Sequence, residues 1–427
     1  MNKKRLKIAV VGSGVAGLTA AYLLNKVHDV TLIEKEDRIG GHTRTLAIPE
    51  GADAGLAVDT GFIVMNLRNY PNFSRLLKEL GVEIQKSCMT FSYHEAETNY
   101  GYAGTSLRGI LPDLTYLFKL RHFALVRDLI RFAFIGYKDL TSGYLKGKTL
   151  GDYLDERKFC PEFQNSYLFP MGAAIWSSPM LKMRDFPAEP YLHFLENHGL
   201  LRLINPPQWY TVKGGSHSYI KAIVKTLKRE PKTGADIQEI VRPENAPGEI
   251  HYTSGESEQY DHIVIATHAD TALKLLGDAD SSEASRLSPW VYQDNQVILH
   301  TDINFMPPKQ SLWASWNFLR KPSETSEKKA SPVCVSYYMN RLQGLKTKTP
   351  YIVTLNPQKA IDPNKTINST ILSHPLYSFD ALNTQKTLRE KNGLRNTWFC
   401  GSYFGNGFHE DAVLSSVQLA NAFDVQL

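Results

Sequence analysis

The chain has 427 residues, 42% of them hydrophobic and 21% charged, a composition that fits a folded globular protein and excludes extensive disorder. A formal net charge of +5 is too mild to argue for nucleic acid as a partner, and no known nucleic-acid-binding module appears. The cysteines Cys88, Cys160, Cys334 and Cys400 lie far apart, with no CxxC pair and no histidine cluster at ligand spacing. Neither a disulfide framework nor a metal site is expected, and a reducing, cytoplasmic location is.

At the front, Lys3-Lys4-Arg5 precedes an apolar run that imitates a signal peptide, but the run stops at Gly12 and reads as the first strand of the fold. Residues 7–11 are mostly apolar and β-branched, as suits a strand buried on both faces of a parallel sheet. Gly12 permits a tight turn, and Gly14 leaves room for a pyrophosphate. Gly17 lets the next helix, predicted over 15–25, pack close to the sheet. That helix would aim its amides and positive dipole end at phosphates. A second strand, 29–33, ends in Glu34, at the distance expected of a carboxylate that binds ribose hydroxyls and disfavours an added phosphate. Strand, glycines, helix, strand and acid in one βαβ unit predict a dinucleotide site. A polar turn, Arg38-Ile-Gly40-Gly41-His42-Thr43, follows.

Further along, residues 114–138 are helix-like, strongly apolar and aromatic, with basic residues at regular intervals. They read first as helices packed inside the fold with arginines reaching solvent, and second as an interfacial helix drawn to anionic lipid. The segment 208–216 carries the pair Gly214–Gly215, and 235–241 and 260–268 read as strands. Strands at 296–300, 313–318 and 333–338 would build an antiparallel sheet, while the Ser/Glu/Lys-rich loop 321–331 is expected to be the most mobile segment. Residues 397–400 read as a strand, followed by Gly401 and by a helix over 409–423 with acids in its first turn. No apolar stretch is long enough to span a bilayer, so membrane contact enters only as a peripheral one at the inner face.

In this order the features resemble flavoproteins built like amine oxidases and carotenoid desaturases. Specific strings extend the likeness over nearly the whole chain: Val58-Asp-Thr-Gly61-Phe-Ile-Val, Phe169-Pro-Met-Gly-Ala-Ala-Ile-Trp176-Ser, Glu196-Asn-His198-Gly-Leu-Leu, Tyr338-Met-Asn-Arg341-Leu-Gln-Gly, and Trp398 through Asp411. Within that group the chain is similar to bacterial NAD/FAD-binding, amine-oxidase-like proteins and to the N-terminal flavin-oxidase-like region of plant cyclopropane fatty acid synthases. The resemblance implies an α/β fold, with a discontinuous Rossmann-like FAD-binding domain and an inserted α+β substrate domain. It implies FAD contacts at Gly12, Gly14, Ala16, Gly17 and Glu34. Arg38, Gly40, Gly41, His42 and Thr43 would wrap the pyrophosphate and ribityl chain, with Ile237 at the adenine and Ala266 and Thr267 near the pyrophosphate. Gly401, Ser402, Phe408, His409, Asp411 and Ala412 would meet the flavin end. Relatives often carry an acid after that glycine, and here it is Ser402. The last helix is implied to aim its N-terminus at the flavin N1–C2=O2 edge, which is anionic when reduced.

The cofactor domain is expected at 1–80, 205–275 and 390–427, and the substrate domain at 81–204, mostly helical, and 276–389. The implied chemistry is FAD-dependent oxidoreduction at a carbon centre of a small hydrophobic or lipid-like substrate, by dehydrogenation, saturation or double-bond isomerisation. Candidate catalytic groups are His409 and Glu410, with Trp176, Trp209, Tyr337 and Tyr403 around the reacting carbon. A second reading is an amine oxidase, which would place a lysine near flavin N5 and an aromatic pair beside it. A third is a flavin-binding accessory of a lipid methyltransferase, without turnover of its own.

Overall fold

Both chain ends meet in one parallel sheet. Strands Lys7–Val11 and Asp29–Ile33 pair in parallel, with helix Val15–Leu24 between them in sequence. His262–Ile265 pairs with the other side of the first strand, and Thr397–Phe399 lies beyond it. All but one residue of each strand is buried, which explains apolar runs without alternation. The final helix, His409–Asn421, packs on Val15–Leu24, where Ser416 Oγ donates to Ala16 O at 2.8 Å. An antiparallel meander, Ile237–Val241, Gly248–Tyr252 and Ser257–Tyr260, completes this half. The structure is a computed structural model describing residues 5–112, 114–201, 207–244, 246–320 and 333–427. The loop expected at 321–331 lies outside the described residues.

The other half is a seven-stranded sheet under a helical layer. The expected strands appear as Val291–His300, Trp316–Arg320 and Val335–Tyr338, joined by Ile352–Leu355 and the edge strand Thr366–Leu376. The stretch expected to be mostly helical also supplies a hairpin, Phe91–Glu95 and Tyr100–Ala103. Its first strand runs parallel to Trp316–Arg320, so the sheet is not wholly antiparallel. Helices Leu120–Thr141, Leu150–Glu156, Phe169–Trp176 and Ala188–Asn197 cover one face. Leu125, Phe132, Tyr153, Trp176 and Leu192 share a core there with Tyr93, Val297, Phe318 and Val353. A π-helical turn, Gln164–Leu168, leads into Phe169–Trp176, and two buried tyrosines satisfy its carbonyls: Tyr102 Oη donates to Ser166 O and Tyr191 Oη to Leu168 O.

The segments next to 276 and 389 pack against the parallel sheet. Leu276, Leu287, Trp290, Ala381 and Leu388 pack in the cluster of Ala9, Val11, Ile33 and Phe399. The helices Ser281–Leu287 and Phe379–Arg389 thus adjoin the parallel sheet, and the sheet-forming part of the second insertion is 291–376. Among the described residues, no helix is long and apolar enough to cross a membrane, and no group of three or more His, Cys, Asp or Glu could hold a metal ion.

Candidate functional site

The glycine loop separates into glycines the protein needs and one that it leaves open. Gly12 has φ +99° and donates to Ile33 O at 2.8 Å; a Cβ there would lie 3.0 Å from Ala266 O. At Gly17 a Cβ would stand 1.8 Å from Gly12 O, so helix and turn touch backbone to backbone. A Cβ on Gly14 meets nothing within 4 Å. That open volume fronts the first turn of Val15–Leu24, whose amides have no intrahelical partners. Glu34 is aimed back at the same loop, accepting from Ser13 N–H at 2.9 Å, from Ser13 Oγ at 2.5 Å and from Glu36 N–H at 3.0 Å.

The Gly40–Gly41 turn closes on this loop. Gly40 N–H donates to Ser13 Oγ at 3.0 Å, and a Cβ on Gly41 would lie 3.0 Å from Gly14 Cα. Arg38 braces the turn through Nη2 to Gly41 O at 2.7 Å and Nη1 to Thr43 O at 3.2 Å. Arg44, which the sequence reading passed over, lies close enough that burial and then Arg38 lower its pKa. The Nε atoms of both arginines are buried without a protein partner. Two adjacent cations with unused donors, beside an open glycine and a helix N-terminus, fit a pyrophosphate, and the residues present therefore fit FAD. His42 turns its ring away toward the substrate sheet, where Nε2 lies 3.0 Å from Ser373 O. Burial, then His374 and His268, hold it well below its ordinary pKa and neutral. Ala266 N–H donates to Val11 O, and the Thr267 methyl faces Gly12, so both border the loop. Ile237 opens the meander, with a register shift directly after it.

At the other chain end, a Cβ on Gly401 would lie 2.4 Å from the Tyr403 ring, and its N–H donates to Ser415 Oγ. Ser402 O accepts from Gly405 and Gly407 N–H, which folds 402–407 into a compact turn. Asp411 accepts from Phe408 N–H at 2.9 Å and caps its own helix, while burial pushes its carboxyl up to about 6. Ala412 is buried behind it.

Two candidate catalytic groups are engaged within the protein instead. The His409 ring stacks on Phe62 at 3.7 Å, and its Nε2 lies 3.0 Å from Thr43 Oγ1 and 3.3 Å from Tyr219 Oη. Burial lowers it to about 3, so it is neutral and ties the Gly-Gly turn to the last helix. Glu410 accepts from Asn72 N–H at 3.1 Å, Asn72 Nδ2 at 2.6 Å and Phe73 N–H at 3.0 Å. Its carboxylate caps helix Pro71–Glu79, a placement its negative charge favours.

The aromatic candidates divide. Phe408, at the start of the last helix, stacks on Phe194 at 4.6 Å, with Trp176 at 6.4 Å and His198 at 5.8 Å. Trp209 stacks on His198 at 5.8 Å, and burial holds that imidazole down at about 4. Tyr337 lies across the sheet against Trp316. Tyr403 does not join this group: it packs with Trp290 and Phe404 in the cofactor-side core beneath Gly401. Phe194 was not singled out in the sequence; its signal was an aromatic two residues before the quoted string at Glu196.

Residues from two of the quoted strings, 58–64 and 338–344, and from the segment 208–216 converge on Asp59, which is fully buried. It accepts from Thr45 Oγ1 at 2.5 Å, Ser216 N–H at 2.9 Å, Ser216 Oγ at 2.7 Å and Gln343 Nε2 at 3.0 Å. Its own N–H donates to Gln343 Oε1 at 2.8 Å. Burial, opposed by the Thr45 and Ser216 bonds, raises its pKa from 3.8 to about 6. The folded state thus holds this proton more tightly than the unfolded chain. Its contribution is full below about pH 4 and is lost as pH rises through about 6. At about 1.36 kcal/mol per unit that is about 3 kcal/mol. Asp59→Asn removes the titration, so parent stability minus variant stability should fall by that amount across the window in urea unfolding. A pH-independent difference would contradict it.

A Rossmann-like domain built from both chain ends, with a substrate domain inserted and a site that fits FAD, defines an FAD-dependent oxidoreductase. The model of the family described as flavin containing amine oxidoreductase matches residues 15–422, and the chain belongs to that family. Solved structures share the fold at low identity. A CLA-producing fatty acid isomerase from P. acnes is 17% identical, with 99% of each chain covered and a TM-score of 0.63. A putrescine oxidase mutant is 13% identical over 98% of this chain and 99% of that one, with a TM-score of 0.69. Cyclohexylamine oxidase from Brevibacterium oxydans is 16% identical over 99% and 100%, with a TM-score of 0.65.

Proposed function

We propose that this flavoenzyme acts on a carbon centre of a hydrophobic, acyl-chain-like substrate, by dehydrogenation, saturation or double-bond isomerisation. The observation that carries the reading is the uncharged aromatic cluster at the start of the last helix: Phe408, Phe194, Trp176, His198 and Trp209, with the one titratable ring held neutral. Such a wall favours a neutral, apolar ligand over an ammonium group, whose hydration it does not replace, the nearby carboxylates Asp411 and Glu410 being taken by backbone amides. Among the described residues no lysine is buried. The fold admits both chemistries, since one neighbour is named a fatty acid isomerase and others are named amine oxidases.

When bound, FAD would supply a hydride acceptor at N5 when oxidised and, once reduced by an external electron donor, the hydride donor that saturation needs. The chain's part is placement and electrostatics. Gly14 and the helix behind it, with Arg38 and Arg44, would hold the pyrophosphate, Glu34 the ribose, and the N-terminus of His409–Asn421 the electron-rich edge of the ring. His409 and Glu410 act as positioning residues that fix that helix to the Gly-Gly turn and to Pro71–Glu79. A lipid methyltransferase as partner belongs to the same proposal, and its support is the resemblance of the sequence strings to the N-terminal flavin-oxidase-like region of plant cyclopropane fatty acid synthases. The test is anaerobic mixing of the holoenzyme with unsaturated phospholipid, free fatty acid, putrescine or cyclohexylamine. Flavin bleaching or a moved double bond with the lipids, and no response to amines, is expected. Bleaching by the amines alone would overturn the proposal.

A further inference from the structure

Helix Leu120–Thr141 is covered on one side only. His122, Leu125, Phe132 and Gly136 are buried in the substrate half, where Phe132 meets Phe159 and Phe163. The opposite side shows Leu120 (84% exposed) and Phe134 (71%), with Phe123, Ile130 and Tyr137 also exposed. Their spacing by three and four residues sets them on one stripe about 100° wide and, at about 1.5 Å per residue, about 26 Å long. Phe118, 85% exposed, adds a further exposed aromatic just before the helix, ahead of the extended N-cap Lys119. Single exposed apolar side chains are ordinary, whereas several aligned on one helix face mark a contact surface.

Charge selects the occupant. The acids of this helix, Asp128 and Asp139, are buried and paired with Arg127 and Arg157. The exposed charged residues of the helix are therefore basic, Arg127 within the stripe and paired with the buried Asp128, and Lys138 beside it, so no exposed acid stands on this helix. A second copy docked by the same stripe about a two-fold axis would bring like charges together. Aromatic and aliphatic side chains flanked by cations match an anionic bilayer surface instead. We propose that this face seats the protein on anionic phospholipid. The seat is one helix away from the site: the helix packs at Gly136 near Leu192 of Ala188–Asn197, which also carries Phe194 against Phe408. That last connection rests on the proposed lipid chemistry, whereas the seating itself does not.

Flotation of the flavin-loaded protein with vesicles containing phosphatidylglycerol, and with phosphatidylcholine alone, tests this. The parent should float with the anionic vesicles and less so as salt rises. Phe118→Ser/Phe134→Ser should reduce flotation by about tenfold or more while melting temperature and flavin content stay unchanged. No flotation of the parent, or equal flotation of the folded variant, would overturn the proposal. So would a dimer in sedimentation that the substitutions abolish without any vesicle binding. Flotation without response of the flavin to any lipid would strike only the substrate reading.

Discussion

The Gly14→Val variant is expected to fold like the parent and to purify without FAD. Gly14 has φ −61° and ψ 173°, a conformation open to any L-residue, and a Cβ on it touches nothing. The protein alone therefore tolerates the valine, apart from about 1 kcal/mol for a poor residue at a helix N-cap. Its methyl groups would fill the volume in front of the first-turn amides, where a phosphate must approach within hydrogen-bonding distance. Gly17 offers the contrast. Any Cβ there strikes Gly12 O at 1.8 Å, so its substitution damages the fold and says nothing about the ligand. Flavin absorbance per protein, set beside a thermal melt of the apo form, separates the two cases. A yellow Gly14→Val protein would mean that the pyrophosphate lies elsewhere.

That contrast also shows why the front of the chain was legible. Each of its glycines answers a local backbone demand, and local demands are written in adjacent residues. The substrate sheet was less legible because its strands are specified by distant partners. Thr366–Leu376 carries Pro375 and many polar residues, which reads as a break; it is tolerated because this is an edge strand, paired only with Val291–His300. The hairpin at 91–103 has an outer partner, Trp316–Arg320, that lies far off in sequence. The same reason explains Glu410. An acid in the first turn of a helix reads as serving its own helix or a ligand, yet its carboxylate is taken by the amides of Asn72 and Phe73 near the other end of the chain. Asp59 stood inside a quoted string, but its role emerges only when Ser216 and Gln343 are brought to it.

The largest stability loss is expected at Arg242, where Arg242→Met should lower the unfolding free energy by about 3–5 kcal/mol. Its side chain is wholly buried and donates through Nη1 and Nη2 to Glu283 at 2.7 and 2.8 Å and through Nε to Asp278 at 2.8 Å. Methionine can follow the aliphatic stem, so packing is largely kept and the charge is what is lost. Asp278 keeps a cation, because Arg395 pairs with it and also donates to Arg242 O. Glu283 does not: it is nearly as buried as Arg242, and its other bond is to Asp280 N–H at the start of Ser281–Leu287. An uncompensated carboxylate in that position, rather than the missing attraction itself, should dominate the cost. Adding Glu283→Gln to Arg242→Met should therefore recover more than half of the loss, since the amide keeps a hydrogen-bonding oxygen and sheds the charge. Urea unfolding of the single and double variants measures both steps. A loss below about 1 kcal/mol would mean that water reaches the cluster and screens it. No recovery in the double variant would put the cost in the lost hydrogen bonds joining the meander to Ser281–Leu287 instead.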